Sequence, residues 1–155
     1  MNNPLQTLLV TGGAGFIGSC FVAQAVARGQ KVIVLDALTY AGSRANLEWI
    51  TGDWELVVGD IREQDKVLAL LKTHKIDALL NFAAESHVDN SISGPRAFID
   101  TNIGGTLALL EAAREYVRAV PYFRFLQVST DEVYGSLGPT GKFSERSPYQ
   151  PNSPY

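Results

Sequence analysis

A chain of 155 residues, 46% of them hydrophobic and 19% charged, is long enough for one domain with its own core and has an ordinary globular composition. Its net charge of −3 offers no basic face for nucleic acid, and no apolar run approaches the roughly 20 residues of a membrane span. The start, MNNPLQTLLVTGG, has no basic stretch ahead of its apolar run, which argues against a secretory leader. The single cysteine, Cys20, cannot form an intrachain disulfide and fits a reducing, cytoplasmic setting. It is expected to pack on a helix.

Apolar, β-branched runs at 5–11, 31–35, 54–58, 78–81 and 123–128 predict five strands. Helical stretches lie between them at 16–28, 63–73 and 96–120, and 37–50 reads as a loop with one short helix. Buried strands alternating with helices predict a parallel sheet, and right-handed crossovers place helices on both faces. The expected fold is α/β, a Rossmann-type doubly wound parallel sheet. The last twenty residues, SLGPTGKFSERSPYQPNSPY, have no period and read as a surface loop. A long irregular loop in a compact domain is often functional.

The first strand runs into TGGAGFIGS, with glycines at 12, 13, 15 and 18 and a helix from about Phe16. Strand, glycine turn and helix form the context a dinucleotide fingerprint requires. Gly12 permits the tight turn, Gly15 lets backbone approach a pyrophosphate, and Gly18 lets helix and strand pack closely. The N–H groups at the helix start then bind the anion. A tight turn without ligand is the plainer reading of the same residues. The second strand ends in KVIVLD, with Asp36 18 residues after Gly18. A carboxylate there accepts hydrogen bonds from an adenosine ribose and repels the 2′-phosphate of NADP, so NAD is the expected cofactor. The third strand ends in VVGDI, where Asp60 either meets the adenine amino group or is a turn aspartate.

The fourth strand ends in LLNFAAESHVDNS. Ala83 and Ala84 leave room for a flat cofactor, and Ser86 and His87 follow with polar tips. His87 reads equally well as a solvated loop residue, and His74 as a surface one. No cluster of His, Cys and carboxylates has metal-ligand spacing, so no metal is expected. The fifth strand delivers STDEVYG, which places Asp131 and Glu132 near the reactive end of a cofactor. Two carboxylates in different environments can serve as acid and base; they can also be a turn or helix-start pair.

TGGAGFIG, Asp36, GDI, AAESHVD, Thr101-Asn102 and STDEVYG occur in this order in extended short-chain dehydrogenases. Among these the chain resembles the dTDP-glucose 4,6-dehydratase family, to which AAESHVDNSI together with STDEVYG is specific; TGxxGFIG alone is shared with many epimerases and reductases. The resemblance runs from Leu8 to Tyr155. In that family the catalytic tyrosine belongs to a Tyr-x-x-x-Lys motif. Tyr155, in NSPY, matches the tyrosine, and the lysine falls beyond the residues given. The chain thus reads as the NAD-binding portion, 1–155, of a longer enzyme whose substrate-binding C-terminal part is not included.

The resemblance implies NAD as bound cofactor and dTDP-glucose as substrate. Tyr155, as phenolate, would take the proton of the sugar 4-hydroxyl while C4 gives a hydride to NAD. Glu132 would remove the C5 proton, protonated Asp131 would donate to the departing 6-hydroxyl, and the hydride would return to C6. The product would be dTDP-4-keto-6-deoxyglucose, on the route to dTDP-rhamnose. Thr130 would hydrogen-bond the 4-oxygen, and Ser86 would lie between cofactor and substrate. Phe16, Ile17, Ala37, Leu38, Thr39, Ile61, Phe82, Glu85 and Thr101 match positions that line the NAD site. The family is usually a homodimer built on long helices, and 96–120 would supply one; its TLALLEAAREY stretch also reads as core packing. Because an ammonium group favours the phenolate, a chain lacking the lysine is expected to have no useful dehydratase activity. A dehydratase for another nucleotide-sugar, a 4-epimerase, which does not need the Asp-Glu pair, and a noncatalytic NAD-binding protein are the rival readings.

Overall fold

In the computed structural model, which describes residues 6–155, the five apolar runs form one parallel sheet. Its strands are β1 (Thr7–Thr11), β2 (Lys31–Asp36), β3 (Trp54–Val58), β4 (Ala78–Asn81) and β5 (Arg124–Gln127), in the order β3-β2-β1-β4-β5. Leu5, where the first predicted strand begins, lies outside the described residues. Side chains alternate across a strand, and that alternation sorts the core into two layers. Leu9, Ile33, Leu35 and Leu79 face α2 (Gln64–His74) and α5 (Thr106–Tyr116). Leu8, Val10, Val32, Val34 and Leu80 face α1 (Phe16–Ala27). The doubly wound arrangement is therefore as expected. Strand order reverses at β1, whose two neighbours are β2 and β4; ligands of open α/β sheets bind beyond the strand ends at such a point. Among the described residues no helix is long and apolar enough to cross a membrane.

Four expectations change. The helix expected over 96–120 is not a uniform α-helix. A short α4 (Pro95–Phe98) leads into a π-helical segment, Ile99–Gly105, before α5 begins. Gly105 lies close against the loop after β3: a Cβ on it would lie 2.4 Å from Cδ1 of Ile61, so a larger residue would require the Ile61 side chain to move. A short α3, Val88–Ser93, was not expected from the sequence. β5 is an edge strand and mostly exposed, with Leu126 at 52%, so its apolar run does not mark a buried strand. Cys20 lies on α1 but is exposed.

The ends of the inner strands are joined by side chains. Asn81, fully buried, accepts a hydrogen bond from the Thr11 hydroxyl and donates to Oε1 of Gln127 at 2.8 Å. One amide thus links β1, β4 and β5. Asn81→Leu is expected to cost about 1–3 kcal/mol, because it leaves the buried Thr11 hydroxyl without an acceptor. A urea-unfolding midpoint equal to that of the parent protein would show the link to be unimportant.

Candidate active site

β1 ends at Thr11, and the next residue, Gly12, takes φ +67°. A Cβ on it would sit 2.6 Å from the backbone nitrogen of Ala83, so the turn needs glycine for its conformation and for its contact with the loop after β4. Gly18, in the first turn of α1, lies against the same turn: a Cβ there would be 2.2 Å from the Gly12 carbonyl oxygen. Helix start and strand end therefore meet backbone to backbone. Gly15 is the N-cap of α1, which has no side-chain cap and no acidic residue in its first turn. The helix start is left bare, the arrangement that accepts an anion.

Asp36, buried at the end of β2, does more than the sequence reading assigns to it. One carboxylate oxygen accepts from the Ala14 N–H at 2.9 Å and the other from the Leu38 N–H at 2.8 Å. It fastens the end of β2 to the glycine turn and still lines the cleft, with lone pairs left for a further donor. Leu38 departs from its expected place. Its φ is +52° and its side chain packs on the α1-side core, so it serves the site through its N–H alone. Asp60 lines the cleft too. Arg62 donates to it through Nε at 3.0 Å and Nη2 at 2.7 Å, and that hydrogen-bonded guanidinium holds the Asp60 carboxyl below the usual carboxylate range.

These strand ends enclose a cleft of about 330 Å³, within the range of small-molecule sites. Its wall takes Gly12, Gly15, Phe16 and Ile17 from the first turn, Asp36, Ala37 and Thr39 after β2, and Asp60 and Ile61 after β3. Phe82, Ala83, Ala84, Glu85 and Ser86 follow from β4, with Thr101 from the π-helical segment. Ala41, Gly42, Gly59, Val128 and Ser129 also line it and were not anticipated. Phe16 is 91% exposed on the rim, an apolar surface with nothing covering it.

The π-helical segment has a local purpose. The side chain of Asn102 accepts from the Glu85 N–H at 2.8 Å and donates to the Glu85 carbonyl at 2.9 Å, which holds the loop after β4 in place. On the other side of the cleft, the Tyr40 hydroxyl donates to Oε2 of Glu85 at 2.9 Å. Burial, together with the bond to Glu85, pushes the Tyr40 phenol up. Tyr40 and the Asn102 clamp escape a sequence reading because their partner lies 45 and 17 residues away.

After β5 the cleft wall takes Val128 and stops at Ser129. Thr130 is extended and caps a 3-10 turn, Asp131–Tyr134, its Oγ1 accepting from the Glu132 N–H at 3.2 Å. Asp131 is exposed and Glu132 half-buried. Thr130, Asp131 and Glu132 thus stand just past the wall, not in it. Among the described residues neither carboxylate has a hydrogen-bond or ion-pair partner. The predicted loop 136–155 is tied back onto this turn: the Gln150 N–H donates to Val133 at 2.9 Å, and Tyr134 stacks on Phe143 at 5.2 Å. Tyr155 is thereby brought to the cleft wall, its ring edge-on to Phe98. His87 is exposed and outside the wall. Among the described residues no three His, Cys, Asp or Glu side chains converge as a metal site would require.

A parallel sheet reversing at β1 and a glycine-floored cleft at its carboxyl edge define a Rossmann-type dinucleotide-binding domain. The GDP-mannose 4,6 dehydratase family matches residues 9–155, and the chain belongs to that family. It is 61% identical over 158 residues to a dTDP-glucose 4,6-dehydratase of Xanthomonas campestris pv. campestris, covering 97% of this chain and 45% of the relative. The crystal structure of a dTDP-glucose 4,6-dehydratase from Streptomyces venezuelae, solved with NAD bound, is 48% identical with a TM-score of 0.87. That match covers 97% of this chain and 47% of the other. A UDP-glucose 4-epimerase from Brucella ovis in complex with NAD is 30% identical with a TM-score of 0.82, covering 97% of this chain and 43% of that one. The chain spans less than half the length of these relatives.

Proposed function

We propose that residues 1–155 are the NAD-binding portion of an enzyme that dehydrates dTDP-glucose to dTDP-4-keto-6-deoxyglucose. The residues present fit NAD. The Gly12–Gly18 approach leaves the start of α1 bare for a diphosphate, Asp36 stands in the wall at the end of β2, and Phe16 and Ile17 are exposed on the rim. Bound NAD supplies a reversible two-electron oxidation at the sugar. Tyr155, as phenolate, accepts the 4-hydroxyl proton. Thr130 spends a lone pair on the Glu132 N–H and keeps its O–H free to donate to the 4-oxygen. Glu132 takes the C5 proton, made acidic by the adjacent ketone, and Asp131 gives a proton to the departing 6-hydroxyl. Adjacent carbons are thus served by adjacent carboxylates.

The observation that carries this reading is the placement of two unpartnered carboxylates, Asp131 and Glu132, two and three residues after the wall residue Ser129, with Tyr155 in the same wall. Similarity to dTDP-glucose dehydratases supports the choice of nucleotide. We place the enzyme in the cytoplasm, as a homodimer on the route to dTDP-rhamnose. Ile99, Ile103, Leu107 and Leu110 recur at helical spacing and are exposed, which supports a helix-mediated dimer. The test is incubation of the complete enzyme with dTDP-glucose in D2O. Deuterium at C5 of a 4-keto-6-deoxy product is expected. A C4 epimer without deuterium would overturn the reading in favour of a 4-epimerase, the activity named for the Brucella ovis neighbour.

A further inference from the structure

The Tyr40–Glu85 hydrogen bond joins two loops that are not neighbours at the edge of the sheet. Tyr40 follows β2 and Glu85 follows β4, and β1 runs between those strands. A bond between the two loops at the carboxyl edge therefore spans the end of β1, which runs into the glycine turn that receives a dinucleotide's diphosphate. Residues on both sides of Tyr40, Thr39 and Ala41, line the cleft, as does Glu85.

Both ends of the bridge are fixed by bonds of their own. After Tyr40, the Ser43 N–H donates to the Ala14 carbonyl at 3.0 Å, and Nδ2 of Asn46 donates to the same oxygen at 2.8 Å. Asn102 clamps both backbone polar groups of Glu85. The Tyr40 side chain itself is 69% exposed. It is free to swing out by rotation about its side-chain bonds while the loops stay in place.

We propose that Tyr40 and Glu85 form a latch over the dinucleotide cleft that slows release of the cofactor. The inference rests on the NAD-binding reading. It gives that reading a physical means of keeping one cofactor molecule in place while an electron pair leaves the sugar and returns. The raised phenol pKa keeps Tyr40 a donor across neutral and mildly alkaline pH.

The test is a displacement experiment on the complete enzyme loaded with NADH and mixed with excess NAD, the fall in nicotinamide fluorescence giving the release rate. Tyr40→Phe and Glu85→Leu, which remove the donor and the acceptor respectively, are each expected to raise that rate about 3–10-fold, the worth of one partly exposed hydrogen bond. The double variant should release no faster than either single, because all three lose the same bond. Release rates unchanged in the single variants, or single effects that multiply in the double, overturn the latch and leave the NAD reading standing. A parent enzyme that binds no NADH overturns the NAD reading, and the latch with it. Both substitutions keep most of the side chain's bulk, and urea unfolding of the cofactor-free variants reports whether each still folds. A variant with a lowered unfolding midpoint and parental release assigns the bond to stability alone and overturns the latch.

Discussion

Replacing Glu132 by Gln should lower turnover of dTDP-glucose by the complete enzyme about 10²–10⁴-fold, the usual worth of a positioned proton-transfer group. That corresponds to about 2.7–5.4 kcal/mol of barrier. Binding of NAD should be retained, since Glu132 stands beyond the last wall residue after β5. Asp131→Asn is expected to slow turnover by a similar factor at a different step. Without the base, no deuterium enters C5 from D2O. Without the acid, C5 still exchanges, but water does not leave C6. The two variants therefore separate by mass spectrometry of recovered sugar. Exchange that survives in Glu132→Gln and stops in Asp131→Asn would reverse the two roles. Glutamine and asparagine preserve the backbone N–H that Thr130 caps, so the turn itself should persist.

Gly18→Ala should be among the most damaging single methyls in the domain. The new Cβ would lie 2.2 Å from the Gly12 carbonyl oxygen and 2.8 Å from the Gly13 Cα. Both are backbone atoms of a turn already committed to β1, so neither can yield as a flexible side chain would. Overpacking of this kind costs about 3 kcal/mol or more, a large share of the roughly 5–15 kcal/mol that holds a domain together. A fall in melting temperature of about 6–12 °C follows for a domain of this size. Gly29→Ala is the control. Gly29 has φ +80° but nothing within 4 Å of an added Cβ, so only the left-handed backbone is penalised, by about 1–2 kcal/mol. Equal losses in the two variants would show that backbone conformation, not the approach of α1 to β1, explains the glycine at 18.

The parts of the site that were legible are those whose physics is local. Glycine spacing after a strand, apolar runs of strand length and carboxylates at strand ends depend on neighbours within a few residues. Gly12, Asp36 and Ala83 line the cleft, and Gly18 packs against the glycine turn. The illegible parts depend on what tertiary structure brings near. Asp36 as a fastener for Ala14 and the Tyr40–Glu85 bridge span 22 and 45 residues. The π-helical segment Ile99–Gly105 has no local sequence signal that separates it from an ordinary helix. Leu38 is expected in the cofactor wall from the family resemblance; at its positive φ the side chain packs against the α1-side core instead. Exposure of β5 was hidden for a different reason, since an apolar run reads alike at the edge of a sheet and inside it.

The place of β1 in the sheet also has a kinetic consequence. β1 is the first strand made and an interior one, yet its second neighbour is β4, with Leu8 opposite Ala78. During synthesis at about 5–20 residues per second, the 70 residues between Thr7 and Asp77 take about 4–14 s to appear. Once β2 is made, β1 has it on one side and, for the rest of that interval, an open ladder of N–H and C=O groups on the other. The Thr11 hydroxyl waits equally long for Asn81. A nascent chain in this state is most exposed to mispairing and to chaperone capture, and the release point is the emergence of ALLN, residues 78–81.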